Sequence, residues 1–246
     1  SDLQRDGDND HVLSQSRMVH AKKVLQCVMC NLPVLLEGPA AVGKTSLVDY
    51  LYKKMRGFMD NLSGSRKYST SRKEEPEKIS NNDMTTIQDY LGTYLPIGVG
   101  GEFDISEGKL ARAMKSGDWF VADEFNLASP AVMNMLFPLL EGKRTIKIPG
   151  TSVTLTAAEG FRFFATQNDA SYANRYRLPD SLRTRFIDIQ VPDFTIDDIK
   201  NIILHRKTDS LVEKKRRVDD TNLAVLYHKC KDIASLRVTL REIFKI

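Results

Sequence analysis

The stretch Leu32–Leu51, LPVLLEGPAAVGKTSLVDYL, limits what this chain can become more than any other segment. Its apolar run Val34–Leu36 has the length and composition of a buried parallel strand. Gly38-Pro39-Ala40-Ala41-Val42-Gly43-Lys44-Thr45 then matches the spacing G-x-x-x-x-G-K-[ST] residue for residue, with Ser46 directly after it. A helical pattern follows, with Leu47, Val48, Leu51, Tyr52 and Met55 on one face and Gly57 as its expected stop. Gly38 and Gly43 let the backbone curl so that successive N–H groups face phosphate oxygens. The helix starting near Lys44 sets its positive end beneath them. In such a loop the lysine, Lys44, reaches the β- and γ-phosphates, and the Thr45 hydroxyl sits on Mg²⁺. A chance match to the four fixed positions arises on the order of 1% of the time in a chain of this length. The segment therefore predicts a nucleotide site.

A second stretch answers the first. Trp119-Phe-Val-Ala-Asp123-Glu124 is a hydrophobic strand ending in two carboxylates. Beside a phosphate loop, Asp123 is expected to hold the Mg²⁺ shell and Glu124 to polarise the attacking water. A third, Phe161-Arg-Phe-Phe-Ala-Thr-Gln167-Asn168, is a buried strand that presents neutral amides at its end, near the γ-phosphate.

The rest of the chain fills in around these three. With 246 residues there is room for one large α/β domain and a small appendage. No apolar run approaches the roughly 20 residues of a membrane span, and the net charge of +4 is too mild to argue for nucleic acid. The three cysteines form no disulfide framework, which fits a reducing, intracellular compartment. Cys27 and Cys30 make a C-x-x-C without a second pair, better read as buried thiols than as a redox or zinc motif.

Residues 1–10 read as a disordered acidic tail. His11–Cys30 reads as a helix with Val12, Met18, Val19, Val24, Leu25 and Val28 as apolar positions. Residues 57–75 read as a polar surface loop, followed by a short strand near Ile79 and a short helix from Thr85. An irregular glycine-rich segment runs to Gly101, and a helix over Ser106–Lys115 is capped by Ser106 and closed by Gly117. Ser129-Pro130 opens a further helix. Residues 144–156 alternate about Pro149-Gly150 as a hairpin. Leu178–Phe186 is a short helix with Arg183 and Arg185, leading to a last strand, Ile187–Val191. Thr195–Asp198 resembles a capping box, and helices are expected at about 196–207, 219–231 and from Ser235 on. The basic run Lys214–Arg217 fits a solvated loop better than an import signal or nucleic-acid patch, and the chain ends inside a helix, as a piece of something longer would.

Together, TTIQDYLGTYLP, GKLARAMKSGDWFVADEFNLASP, FRFFATQN and LRTRF resemble the AAA+ ATPases of the dynein-related group that contains midasin and the MoxR proteins, most nearly a midasin AAA module. The resemblance spans about His11 to Leu240. It implies a P-loop NTPase fold of class α/β: a parallel five-stranded sheet flanked by helices over 11–192, then a small helical lid over 193–246. It implies ATP and Mg²⁺ as ligands, with Lys44 and Thr45 as Walker A, Asp123 and Glu124 as Walker B, and Asn168 as sensor 1. Arg185, or Arg183, is the arginine finger offered to a neighbouring subunit, and Arg237 matches sensor 2. The segment near Gly92–Ile105 matches the helix-2 insert and the hairpin the insert before sensor 1. Where such loops usually carry Pro-Gly, this chain has Ala40-Ala41. The implied work is ATP-driven remodelling of a large protein or ribonucleoprotein assembly by a ring of neighbouring AAA+ protomers or modules. If midasin-like, the assembly is the large ribosomal subunit precursor and the place the nucleus; if MoxR-like, the protein is a cytoplasmic chaperone ATPase. A non-hydrolysing ring spacer is the reading from another class. Direct nucleic-acid binding is disfavoured for want of a basic-aromatic stripe.

Overall fold

The computed structural model of this chain describes residues 15–62, 75–97, 102–168, 178–200 and 202. The tail, most of the 57–75 loop, Lys214–Arg217, Arg237 and all but the start of the lid lie outside them.

Five parallel strands carry the fold: β1 (Val34–Gly38), β2 (Glu77–Ser80), β5 (Trp119–Asp123), β8 (Arg162–Asn168) and β9 (Ile187–Gln190), in the order β2-β5-β8-β1-β9. Helices cover both faces, so the strands read as apolar runs rather than as alternations. The period-2 geometry sorts their side chains into two cores. Val34, Leu36, Trp119, Val121, Phe164 and Ile189 pack against α1 (Gln15–Met29) and α2 (Lys44–Leu62). Leu35, Phe120, Ala122, Phe163 and Ala165 face the other way. There they meet α3 (Ile87–Leu91), α4 (Lys109–Ser116) and α5 (Pro130–Leu140).

Local signals set several boundaries. Thr86 and Asp89 close a capping box at α3. The Ser129 hydroxyl caps α5 on the Val132 N–H, with Pro130 in the first turn. Gly117 ends α4 in the left-handed region at φ +69°. The expected hairpin forms from β6 (Thr145–Lys147) and β7 (Thr154–Thr156).

Three expectations about these elements are corrected. Gly57 does not stop α2, which runs on to Leu62; a mid-helix glycine costs only about 1 kcal/mol, which packing outweighs. The segment after α3 is not irregular: β3 (Gly92–Ile97) and β4 (Glu102–Glu107) pair as an antiparallel hairpin, Gly92 opposite Glu107. Ser106 and Glu107 belong to that hairpin, so α4 starts later, with Gly108 as its N-cap. A Cβ on Gly108 would meet the Tyr90 carbonyl oxygen at 2.4 Å, which explains a cap without a side chain.

In α1 the buried face is Arg17, Ala21, Val24, Cys27 and Val28, while Val19 is 54% exposed. Arg17 turns inward because it finds partners there. It donates to the Pro192 carbonyl at 2.8 Å and lies 4.3 Å from the centre of the Phe194 ring. Beside it Ser16 donates to Asp198 at 2.9 Å, and Asp198 closes the expected capping box with Thr195. Cys27 is buried but Cys30 is exposed, and both are free thiols. Among the described residues no helix is long and apolar enough to cross a membrane.

Candidate nucleotide site

In the order β2-β5-β8-β1-β9 the connection leaving β1 runs to β2 on one side and that leaving its neighbour β8 runs to β9 on the other, and ligands of open parallel sheets bind outside the carboxyl ends of strands at such a point. The loop after β1 emerges there. Gly38 passes hard against the last strand: a Cβ on it would lie 2.1 Å from the Val191 carbonyl oxygen. Gly43 takes φ +81°, and α2 begins one residue later, with Leu47 N–H bonded to the Gly43 carbonyl at 2.9 Å. Ala41, one of the two residues standing where glycine and proline were expected, takes φ +62°. An L-residue is strained in that region by about 1–2 kcal/mol.

Lys44 and the strand ends form one connected network. Lys44 is buried and donates to the Gly38 carbonyl at 2.9 Å, the Pro39 carbonyl at 2.6 Å and Asn168 Oδ1 at 2.8 Å. Asn168 in turn donates through Nδ2 to Glu124 Oε1 at 3.1 Å. That assignment uses the amide oxygen as acceptor and its nitrogen as donor, as the chemistry requires. Thr45 Oγ1 donates to Asp123 Oδ1 at 2.9 Å, and the Thr166 hydroxyl donates to the same oxygen. The period of 2 explains the convergence. Asp123 shares a face with Val121, and Thr166 and Asn168 share one with Phe164, all turned toward α2.

Glu124 leaves that pattern. Its φ of +50° puts a non-glycine residue in the left-handed region just after β5, with its N–H on Thr166 Oγ1 at 3.3 Å. Strain of about 1–3 kcal/mol at such a residue is characteristic of functional positions. Alternation after Asp123 would send Glu124 to the opposite face; the turn instead brings its carboxylate to within reach of Asn168 on the α2 face. Asn81, just past β2, braces the same corner: its N–H and Nδ2 both donate to the Asp123 carbonyl, at 2.9 and 2.8 Å. Tyr90 O–H bonds Asn81 Oδ1 at 2.7 Å.

The residues fit a nucleoside triphosphate with Mg²⁺. A loop opened by Gly38, which has no room for a Cβ, a buried ammonium and a hydroxyl–carboxylate pair are donors and acceptors of the right kinds. Mg²⁺ is commonly held by only one or two protein oxygens, the rest coming from water and phosphate.

The two candidate fingers differ. Arg183, at the end of α6 (Asp180–Arg183), donates to both Glu37 and Asp188. Glu37 also accepts from Gln190 Nε2 at 2.7 Å. Burial works to raise the Glu37 pKa, but the bonds from Arg183 and Gln190 outweigh it and hold the carboxyl below its ordinary range. Arg185 lies further out. It donates to Glu141 at 3.0 Å, reaches the Ser181 carbonyl, and its guanidinium sits 4.6 Å from the centre of the Phe137 ring. Arg237 lies outside the described residues.

A family model described as "AAA domain (dynein-related subfamily)" matches residues 33–186. The chain belongs to this family. It is an AAA+ ATPase module, and the family brings with it nucleotide binding. Two midasins are similar to it. That of Giardia intestinalis is 29% identical over 245 residues, 96% of this chain and 5% of the midasin. That of Dictyostelium discoideum is 34% identical over 175 residues, 71% of this chain and 3% of the midasin. The chain thus spans only a small fraction of either relative. An uncharacterized Staphylococcus aureus protein is 27% identical over 189 residues, 77% of this chain and 65% of its own length. A crystal structure of a candidate ATPase from Cytophaga hutchinsonii matches with a TM-score of 0.54 at 19% identity, over 87% of this chain and 59% of that one. At that identity it supports the fold alone, the parallel sheet flanked by helices.

Three polar residues of this corner were not anticipated: Thr166, Asn81 and Glu37. Thr166 sits two positions before Asn168, so the strand period alone puts both on one face. Glu37 lies in β1 after its apolar run and Asn81 just past β2, but nothing nearby in sequence marks their partners.

Proposed function

We propose that this AAA+ module binds and hydrolyses ATP, with the neighbour completing its site. The observation that carries the reading is the unbroken hydrogen-bonded path Lys44–Asn168–Glu124 beside the Thr45–Asp123 pair. The backbone of Gly38, Pro39, Ala40, Ala41, Val42 and Gly43 cradles the phosphates, and Ser46 extends the helix N-terminus below them. Lys44 leaves its carbonyl partners for the β- and γ-phosphates. Thr45 and Asp123 hold Mg²⁺, which when bound neutralises charge building on the phosphate oxygens. Glu124 accepts a proton from the attacking water, and Asn168 orients that carboxylate and the γ-phosphate at once.

Arg185 is the arginine offered to the next subunit. Its partner Glu141 is solvent-exposed, so the pair is easily given up. Arg183 is held by the largely buried Glu37, with side-chain exposures of 21% and 12%, and serves inside its own chain. Arg237, outside the described residues, takes the sensor 2 role on the strength of the family resemblance alone. The neighbours are AAA+ protomers or sister modules in a ring, and the substrate is a protein or ribonucleoprotein assembly. The likeness to midasin supports the large ribosomal subunit precursor as that assembly and the nucleus as its place.

The test is Glu124→Gln. ATP binding, read with a fluorescent analogue, is expected to persist while turnover falls by about 10²- to 10⁴-fold. Undiminished turnover would remove Glu124 from the mechanism and with it the hydrolytic reading.

A further inference from the structure

Glu37 is out of place for a phosphate site. It puts a carboxylate one residue before the loop that is to hold a polyphosphate, and burial disfavours a charge still more. The structure answers both costs with one arrangement. Glu37 lies opposite Gln167 of β8 and Gln190 of β9 in the parallel register, on the sheet face away from α2. Gln190 donates to it, and Arg183 donates to it and to Asp188. Two links tie the same residue to the loop and the last strand. Lys44 holds the carbonyl of Gly38, the next residue, and the Val191 N–H holds the carbonyl of Glu37 itself at 2.7 Å.

Arg183 is equally well tied to the residues after it. Arg185 N–H bonds the Leu182 carbonyl at 3.1 Å, and Phe186 N–H bonds the Arg183 carbonyl at 3.1 Å. These bonds close a tight turn over residues 182–186. Phe186 is buried against the rings of Phe125 and Phe163, with centroids 5.9 and 6.2 Å away, which gives that turn a fixed pivot.

We propose that the partly buried Glu37–Arg183 pair is a strut that couples occupancy of this chain's phosphate loop to the setting of Arg185, making Glu37 and Arg183 positioning residues for the neighbour's site. The proposal rests on the reading of Arg185 above. A phosphate on the loop competes for the Lys44 ammonium and so loosens its hold on the Gly38 carbonyl. The β1 end then answers to the phosphate instead of to Lys44, and the strut carries that change across the sheet to α6. The direction of information is outward: a loaded site tells its own arginine where to stand.

The experiment is hydrogen exchange of the amides of residues 182–186 in the Glu124→Gln chain, with and without ATP and Mg²⁺. ATP is expected to slow their exchange by about 5- to 150-fold, the usual span of coupling between two sites. In Glu124→Gln/Glu37→Gln and in Glu124→Gln/Arg183→Met that ATP-dependent slowing is expected to vanish, while ATP still binds within about threefold of the parent affinity. Arg183→Lys, which keeps the charge, is expected to retain part of it, and it also covers the case in which Glu37→Gln fails to fold. A purely structural role would change exchange equally with and without ATP. Full ATP-dependent slowing in either charge-removing variant overturns the strut. Failure of the Glu124→Gln chain to bind ATP at all overturns the functional reading beneath it.

Discussion

The two faces of the sheet's carboxyl edge hold polar residues at the same level and use them differently. On the α2 face, Asp123, Thr166 and Asn168 gather around Lys44 and Thr45, and each bond there is one that phosphate, metal or water can claim. On the opposite face, Glu37, Gln190 and Asp188 gather around Arg183 and satisfy one another within the chain. One residue of β1 separates the two clusters. The comparison teaches that alternation along a parallel strand can place a reactive cluster and a structural one back to back.

The sharpest way to break this contrast is Arg185→Ala. As the piece offered outward, its loss is expected to lower turnover in the assembled state by about 10³- to 10⁵-fold and leave ATP affinity unchanged. Specific activity measured across protein concentration reads this: the parent rises with concentration and the variant stays flat. An equal rise in both would return Arg185 to a surface role.

Lys44→Ala attacks the reactive face itself. Losing hydrogen bonds from a charged donor to phosphate, at about 1.5–3 kcal/mol, is expected to weaken ATP binding roughly 10- to 150-fold. A binding titration checks it, and unchanged affinity would mean that the loop backbone alone holds the nucleotide.

The structural face is probed by pH. The Glu37 pKa is lower folded than unfolded, so its pairing stabilises the fold above the ordinary carboxylate pKa of about 4.3. That contribution is lost as pH falls through the lowered folded value. The parent is therefore expected to exceed Glu37→Gln in stability at pH 7, with the gap shrinking below pH about 4. Urea unfolding of both proteins across that range tests the sign, and a gap that widens on acidification contradicts the pairing.

The smallest effect belongs to the loop. Ala41→Gly relieves about 1–2 kcal/mol of left-handed strain but loses about 0.5–1 kcal/mol to the freer unfolded chain. A net gain of roughly 0.5 kcal/mol is expected in urea unfolding. A loss would show that the alanine methyl packs usefully there.

Much of the α2 face was legible in the sequence, and for a local reason. The phosphate loop, the acidic strand end and the amide strand end are each contiguous segments whose chemistry and period can be read in place. The loop's cradle, α2 beneath it and five buried parallel strands come from glycines, a helix start and apolar runs. The opposite face was not legible. Glu37 closes an apolar strand like any surface residue, and its partners lie 146 and 153 positions away. Nor was it legible that Arg17 would be buried and Val19 exposed, because hydrophobicity ranks them the other way. Arg17 lies inside with the Pro192 carbonyl, the Phe194 ring and nearby Asp198 around its guanidinium, although burial outweighs them and lowers its pKa.

By itself the sequence determined the nucleotide chemistry, the parallel α/β core and the family's order of motifs, since short contiguous patterns encode each of these. Only the tertiary structure decided which arginine pairs with the largely buried Glu37 and which with the exposed Glu141. A guanidinium's role depends on the carboxylates it meets, and chain topology, not local propensity, brings those carboxylates to it.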